Sequence, residues 1–351
     1  MKLPDLLDEA NLLEWAGVSI GRYEAHRLFL SMKKLSESLP GDVGRLRFFG
    51  KIFSRGLPYV IVEGLSPEDE EGTDDKLQEG RNGGNKYAYW VARSTDVAVE
   101  EWVKLPNVTM AQVVVSRKIK RLLSGDIDAP VPSFPPFPGT ERHLLRAIIA
   151  RIAGATLISP DGFFDMDDES DPPVAKEAEA EALNERFPKS SSDLKEAEGW
   201  KHHEVELNVL GRVLAMPEVL DDEGNPVEPD EPIEVTAPLK EITPEAWTLR
   251  VCPGGSGTTA VSAVSARSLT WPGAVAVAQG RRYVNIYLGH GVMYEPSRYT
   301  PSLPAPVQAE WAPPSEDDPD AGSAVVLLEQ VDVKVDPTPP VPEGEEAPEE
   351  E

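Results

Sequence analysis

Residues 133–155 read SFPPFPGTERHLLRAIIARIAGA, a proline strap running straight into an amphipathic helix. Proline fixes its own φ and pushes the preceding residue toward extended geometry. Phe134 and Phe137 are therefore held as side chains on a stiff ribbon built with Pro135, Pro136 and Pro138. Gly139 lets the backbone turn. Beyond it Leu145, Ile148, Ile149 and Ile152 recur at helical spacing, whereas Arg146 and Arg151 fall off that face. The stretch carries no nucleophile, metal-ligand cluster or phosphate loop. Such a piece positions surfaces against each other.

The surrounding chain has 351 residues, 40% of them hydrophobic, with a net charge of −27. That charge argues against a nucleic-acid backbone and against an anionic membrane surface, because both partners are polyanions. Cys252 is the only cysteine, so no intrachain disulfide is possible and a reducing compartment is expected. The first residues, Met1-Lys2-Leu3-Pro4-Asp5, lack the apolar run of a secretory signal, and no apolar stretch approaches spanning length.

On the N-terminal side of the strap, residues 4–38 read as two helices, the second stopped by Pro40-Gly41. Apolar runs at 46–53 and 59–62 flank Arg55-Gly56-Leu57-Pro58, the pattern of strand, turn and strand. Residues 87–91 and 102–105 are strand-like. Thr109 can cap a helix running to about Leu123, with Ala111, Val115, Ile119 and Leu122 on one side. On the C-terminal side, a short strand pair is expected near 156–159 and 162–164. Residues 275–278 and 283–288 flank Gln279-Gly280-Arg281 as the clearest hairpin. Acidic loops are expected at about 66–84, 165–198 and 217–244, the middle one able to form transient helix. These divisions give a core over residues 1–311 and an acidic, proline-rich tail over 312–351. Within the tail, Val331, Val333 and Val335 alternate with polar residues as in a half-exposed strand, which could add to a sheet edge. The fold class expected is α+β, with helices packed on a mixed, mostly antiparallel sheet.

Reactive groups are scattered. His202-His203-Glu204 is the one His/carboxylate cluster, but adjacent histidines point to different faces, so a solvent-exposed pair is expected and no metal site. Residues 254–259, GGSGTT, lack the lysine and spacing of a phosphate loop. No cofactor is expected. Arg117, Lys118, Lys120 and Arg121 form a basic run, which in so acidic a chain suits the protein's own acidic segments or an acidic neighbour better than nucleic acid. Phe134, Phe137, Trp271, Tyr294, Tyr299 and Trp311 all lie next to or near prolines. Aromatics on rigid ribbons bury area at low entropic cost, which suits either intersubunit packing or wrapping of the protein's own core.

The strap and helix, together with Asn85-Lys86-Tyr87, Trp102-Val103-Lys104-Leu105-Pro106, GDIDAP at 125–130 and Thr270-Trp271-Pro272-Gly273, resemble the radial spoke head protein 4/6 family of ciliary axonemes. The resemblance runs in order from Leu3-Pro4-Asp5-Leu6 to residues 308–311 and includes Asn285-Ile286-Tyr287. One departure is Gly289-His290-Gly291, where the family often carries a tryptophan between the glycines. The resemblance implies a non-catalytic structural subunit of the radial spoke head in the cilium or flagellum. Its implied partners are other spoke head and stalk proteins, a second copy or a paralogue in a dimer, and central-pair projections, through which contact is relayed to dyneins. No nucleic acid or membrane is implied. An acidic adaptor of another cytosolic complex is the alternative. Candidate interface or architectural residues are Phe134, Pro135, Pro136, Phe137, Pro138, Gly139, Arg146, Arg151, Trp271, Pro272, Gly273, Tyr287, Tyr294 and Tyr299.

Overall fold

A computed structural model describes residues 3–39, 45–65, 87–92, 102–167, 174–204, 207, 211, 239, 246–253 and 262–294. Tyr299, Val331, Val333 and Val335 lie outside the described residues, as do the expected loops at 66–84 and, apart from Leu239, at 217–244.

The chain opens with helices α1 (Leu6–Trp15) and α2 (Arg22–Ser38). Asp5 caps α1, its carboxylate accepting from Leu7 N at 2.9 Å. Strands β1 (Arg45–Ile52), β2 (Tyr59–Leu65), β3 (Tyr87–Ala92) and β4 (Val103–Lys104) form an antiparallel meander. Far along the chain, β9 (Trp247–Cys252), β10 (Ala263–Ser268), β11 (Ala274–Gln279) and β12 (Arg282–Gly289) form a second one. The β11–β12 turn places Gly280 at φ 63°, so glycine occupies the position where a two-residue hairpin needs a left-handed residue. The first and last strands then pair in parallel, giving one eight-stranded sheet of order β4-β3-β2-β1-β12-β11-β10-β9.

The parallel seam is tight. Gly50 lies opposite Tyr287 at φ 142°, beside a register shift between Phe48 and Gly50. A Cβ at Gly50 would lie inside the Tyr287 carbonyl. The irregularity also sends Phe48 and Phe49 to different faces. Phe48 joins Val60, Val62, Trp90, Val277 and Ile286 beneath Leu13, Leu28 and Met32 of α1 and α2. Phe49 joins Ile61, Tyr89, Trp271 and Tyr287 beneath α4 (Glu141–Thr156), through Leu145, Ile149 and Ile152.

Helix α4 is buried around nearly its whole circumference. Its small residues Ala147 and Ala150 admit Val108 and Val113 of the α3 (Met110–Ser116) region on the side away from the sheet. This corrects the reading of Arg146 and Arg151 as off the buried face: they are 1% and 8% exposed. Helix α3 begins at Thr109 as expected, with a Thr109/Gln112 capping box, but ends at Ser116 rather than near Leu123. Lys118 N donates to Val115 O at 3.0 Å and Ile119 N to Ser116 O at 3.2 Å, a tighter three-residue pattern that ends the α-helical ladder, and Arg151 Nη1 donates to the same Ser116 oxygen at 3.2 Å.

The third corrected reading concerns residues 156–198. Strand β5 (Ile158–Pro160) pairs with β8 (Trp200–His202), and β6 (Phe164–Asp167) pairs with β7 (Val174–Glu177), so the two expected strands do not pair with each other. The stretch expected as an acidic loop carries β7, α5 (Ala180–Arg186) and α6 (Ser191–Leu194). Its anchors are few but large. Fully buried Trp200 and Leu194 pack with Ile158 on Val264, Ala266, Ala276 and Ala278 of the second meander, whose alanines leave room for the indole.

Gly50→Ala is expected to destabilise the protein by more than about 3 kcal/mol, combining a left-handed backbone with a clash at the seam. Gly21→Ala shares a positive φ but has open space around its Cβ. It should cost only about 1–2 kcal/mol. Thermal unfolding of the two variants checks the contrast.

Candidate interaction surface

The proline strap is stapled to the start of α4 from three sides. Glu141 N donates to Ala129 O at 2.9 Å, Arg142 N to Ile127 O at 2.8 Å, and Gln112 of α3 donates Nε2 to Pro138 O at 2.8 Å. Ser133 Oγ donates to Pro135 O at 2.9 Å, across the cis Phe134–Pro135 bond. Thr140 N donates to His143 Nδ1 at 3.2 Å, which requires a neutral acceptor nitrogen. Burial and the neighbouring Arg142 lower the His143 pKa, in keeping with that role. Gly139 has φ 141°, and a Cβ there would meet the His143 ring at 2.8 Å.

Held this way, the two strap phenylalanines part company. Phe137 is 7% exposed and packs with Val131 and Leu144, while Phe134 is 95% exposed. The second aromatic strap is similar. Trp271 is buried, Pro272-Gly273 turns against Leu288 and Gly289, and Leu288 N donates to Gly273 O at 2.8 Å. Tyr287 is buried; its hydroxyl accepts from Gly291 N at 2.9 Å, and burial pushes its pKa up to about 12. Tyr294 is 47% exposed. Of the candidate residues, Phe134 and Tyr294 are the exposed aromatics, with Pro136, Pro138, Gly139 and Pro272 exposed beside them, whereas Phe137, Arg146, Arg151, Trp271 and Tyr287 are buried in the single chain.

The two α4 arginines do that work through aromatic faces. Arg146 stacks its guanidinium 4.6 Å from the Tyr89 ring centroid, and Arg151 lies 5.2 Å from that of Trp271. At the base of α4, Glu141 is fully buried, accepting from Tyr59 Oη at 2.6 Å, Ser124 N at 2.7 Å and Gly125 N at 2.9 Å. Its carboxylate thus fixes the loop that bears the basic run.

Sequence reading missed a second buried ionic system. Arg47 and Glu63 sit opposite each other on β1 and β2 and form a two-pronged pair, Nε–Oε1 at 3.0 Å and Nη2–Oε2 at 3.2 Å. Tyr89 Oη donates to Glu63 at 3.1 Å, and Arg47 Nη1 donates to Asn285 O of β12 at 3.1 Å. Burial alone would lower the Arg47 pKa, but the Glu63 carboxylate outweighs it and holds it above its ordinary value. The pair floors a cavity of about 580 Å³, walled by Glu9, Arg45, Tyr87, Phe163, Glu177 and Tyr283. Its charges are largely matched within the chain: Arg45 lies 3.8 Å from Glu177, and Tyr87 donates to Glu204. Burial raises the Glu9 pKa to about 6 against the opposing pull of Arg47 and Arg45.

The histidine pair departs from the solvent-exposed expectation. His202 is buried and burial lowers its pKa to about 4; His203 stacks on Phe164 at 4.7 Å. Strand β8 pairing with β5 carries His202 inward, and His203, one residue past the strand, is partly buried and donates its N to Leu157 O at 3.2 Å. Among the described residues no three metal-ligating side chains converge, and no helix is long and apolar enough to cross a membrane.

With this geometry in view, comparison with known proteins is decisive. The sequence matches the radial spokehead-like protein family over residues 1–82 and 75–336. The chain belongs to this family. It is 32% identical to human radial spoke head protein 4 homolog A and 30% identical to human radial spoke head protein 6 homolog A, each across 88% of this chain. It is 31% identical to flagellar radial spoke protein 4 of Chlamydomonas reinhardtii, again across 88% of this chain and 70% of that protein. The radial spokehead-like chain spans about half the length of the two human relatives, 50% and 52%.

Breaking the buried pair from one side leaves an uncompensated charge, so Arg47→Met or Glu63→Leu alone is expected to cost about 3–5 kcal/mol, and the double variant less than the two singles added together. Urea unfolding of the full cycle measures this. His202 gives a pH dependence: the unfolded chain takes up its proton near pH 6.5 and the folded one near 4, so stability is full above 6.5 and falls as pH drops toward 4. Glu9 acts the opposite way, its contribution present below 4.5 and lost as pH rises through about 6. The difference between wild type and His202→Asn across pH 6.5 to 4 isolates the histidine, on the order of 3 kcal/mol.

Proposed function

We propose that this chain is a non-catalytic structural subunit of the radial spoke head of the ciliary or flagellar axoneme. The observation that carries the reading is the ordered similarity along 88% of the chain to proteins named for the radial spoke. The architecture supports it. The buried charged groups Arg47, Glu63, Glu141, Arg146 and Arg151 brace the interior, and the strap presents an aromatic knob on an immobilised backbone. An exposed aromatic on a fixed backbone has no chain segment to order on docking, so Phe134, with Tyr294 in support, is assigned as an assembly contact.

In this role the subunit binds other spoke head and stalk proteins, pairs with a second copy or a paralogue, and meets central-pair projections, relaying that contact toward dyneins. Neither nucleic acid nor membrane is among its partners.

Expression in a ciliated cell lacking its own spoke head 4/6 subunit tests the reading. The protein should pellet with demembranated axonemes and restore regular beating; a protein that stays in the soluble fraction while the cilia remain defective overturns the assignment. Phe134→Asp should keep the wild-type unfolding midpoint while losing axonemal retention, as truncation of an interface anchor costs roughly 2 kcal/mol or more of binding. Unchanged retention removes Phe134 from the interface and leaves the family assignment standing.

A further inference from the structure

The basic run belongs to a built ledge that the spoke head reading does not use. Because α3 ends at Ser116, residues 117–126 leave the helix, and 123–125 lie against the β1–β2 turn. Arg55 N donates to Leu123 O at 2.8 Å, and a Cβ on Gly56 would touch Ser124 O at 3.0 Å, so the two loops are in backbone contact. Each is internally fixed. Ser54 Oγ donates to Leu57 O at 2.7 Å, and buried Glu141 holds the amides of Ser124 and Gly125. Gly125, at φ 94°, lets the backbones approach: a Cβ there would meet Ser54 Oγ at 2.7 Å.

This ledge exposes Leu57 (57%), Leu122 (40%) and Phe53 (37%) among Arg55, Lys118, Lys120 and Arg121, all four exposed. Across residues 53–58 and 117–126 there are five basic residues and one acidic one, Asp126. In a chain of net charge −27, two touching loops that expose basic and apolar side chains together are a local inversion of the surface charge.

We infer that the Leu57–Leu122 ledge docks an acidic segment of a partner protein, one that carries aliphatic side chains between its carboxylates. Charge complementarity selects the sign of the occupant, and the exposed leucines select its apolar component. A nucleic-acid duplex or an anionic bilayer extends well past the patch and meets the acidic remainder of the chain. A peptide segment covers the ledge alone. The inference rests on the ledge and holds whichever assembly the chain joins.

The test uses the full chain and three fluorescent probes: a 12-residue peptide alternating glutamate with leucine, a glutamate–glutamine peptide of equal charge, and a 12-base-pair DNA duplex. Anisotropy at low salt should show the glutamate–leucine peptide binding at least about tenfold tighter than either other probe. Lys120→Glu with Arg121→Glu should weaken it by about tenfold or more and flatten its salt dependence. Leu57→Ser with Leu122→Ser should weaken it several-fold at unchanged salt slope. All four positions are exposed, and an unchanged unfolding midpoint confirms that each variant is folded. Equal binding of both peptides, preference for DNA, or indifference to the charge reversal overturns the proposal. Carbodiimide cross-linking of the dilute full chain adds an independent check: Lys118 or Lys120 joined to a glutamate of the same molecule makes the occupant internal and also overturns it.

Discussion

Everything in the centre of this sheet depends on one pair of opposite charges removed from water together. Arg47 and Glu63 lie across the β1–β2 ladder, and the row they start runs outward both ways. On one side Tyr89 of β3 donates to Glu63, and Arg146 of α4 lies over the Tyr89 ring. On the other, Arg47 reaches the Asn285 carbonyl of β12, and the Asn285 side chain donates to Ile158 O of β5 at 2.9 Å. A single polar row therefore crosses the parallel seam and fixes the helix and the small β5–β8 pair to the same floor. Hydrophobic area supplies the bulk of the stability. The row specifies which strands lie beside which, since a one-residue slip of β1 against β2 would turn Glu63 away and leave Arg47 buried alone.

The parts of this design that are local were legible in the residues. The β11–β12 hairpin follows from alternation around Gly280, and the β1–β2 hairpin from two apolar runs around Arg55-Gly56-Leu57-Pro58. The α+β class follows from those strands combined with the 3.6-residue pattern of α2 and α4. What escaped was set by neighbours remote in sequence. Arg146 and Arg151 sit off the aliphatic face, and periodicity alone assigns such positions to solvent; the aromatic rings that receive them are far away, Trp271 being over a hundred residues on. Helix α3 stops at Ser116, where Lys118 and Ile119 donate to carbonyls three residues back and Arg151 reaches the Ser116 carbonyl from α4, with no breaker in its own sequence to announce it. His202 reads as exposed until β8 is seen to pair with β5. A usable signal for the ionic row did exist: Glu63 is the single charge of an otherwise apolar β2, and Arg47 stands between Leu46 and Phe48 in the other strand of the same hairpin.

At the candidate interaction surface the same division holds. The strap was recognisable as a stiff aromatic ribbon, but only packing distinguishes its two phenylalanines, one driven into the core beside Leu144 and the other left in water. Presentation of a small number of side chains from a heavily braced interior fits the structural role proposed for this chain, because a braced backbone keeps those side chains in a fixed arrangement.

The seam between β1 and β12 also has a consequence for biosynthesis. These strands are the first and last of the sheet, and Arg47 and Asn285 are 238 residues apart in sequence. As the polypeptide leaves the ribosome, the N-terminal meander is complete while one long edge of its inner strand is still open, and the segment that closes it is the last strand to be translated among the described residues. Such a nascent chain carries a sticky edge for most of its translation, the condition under which chaperone guarding or co-translational capture by a companion subunit has most to offer.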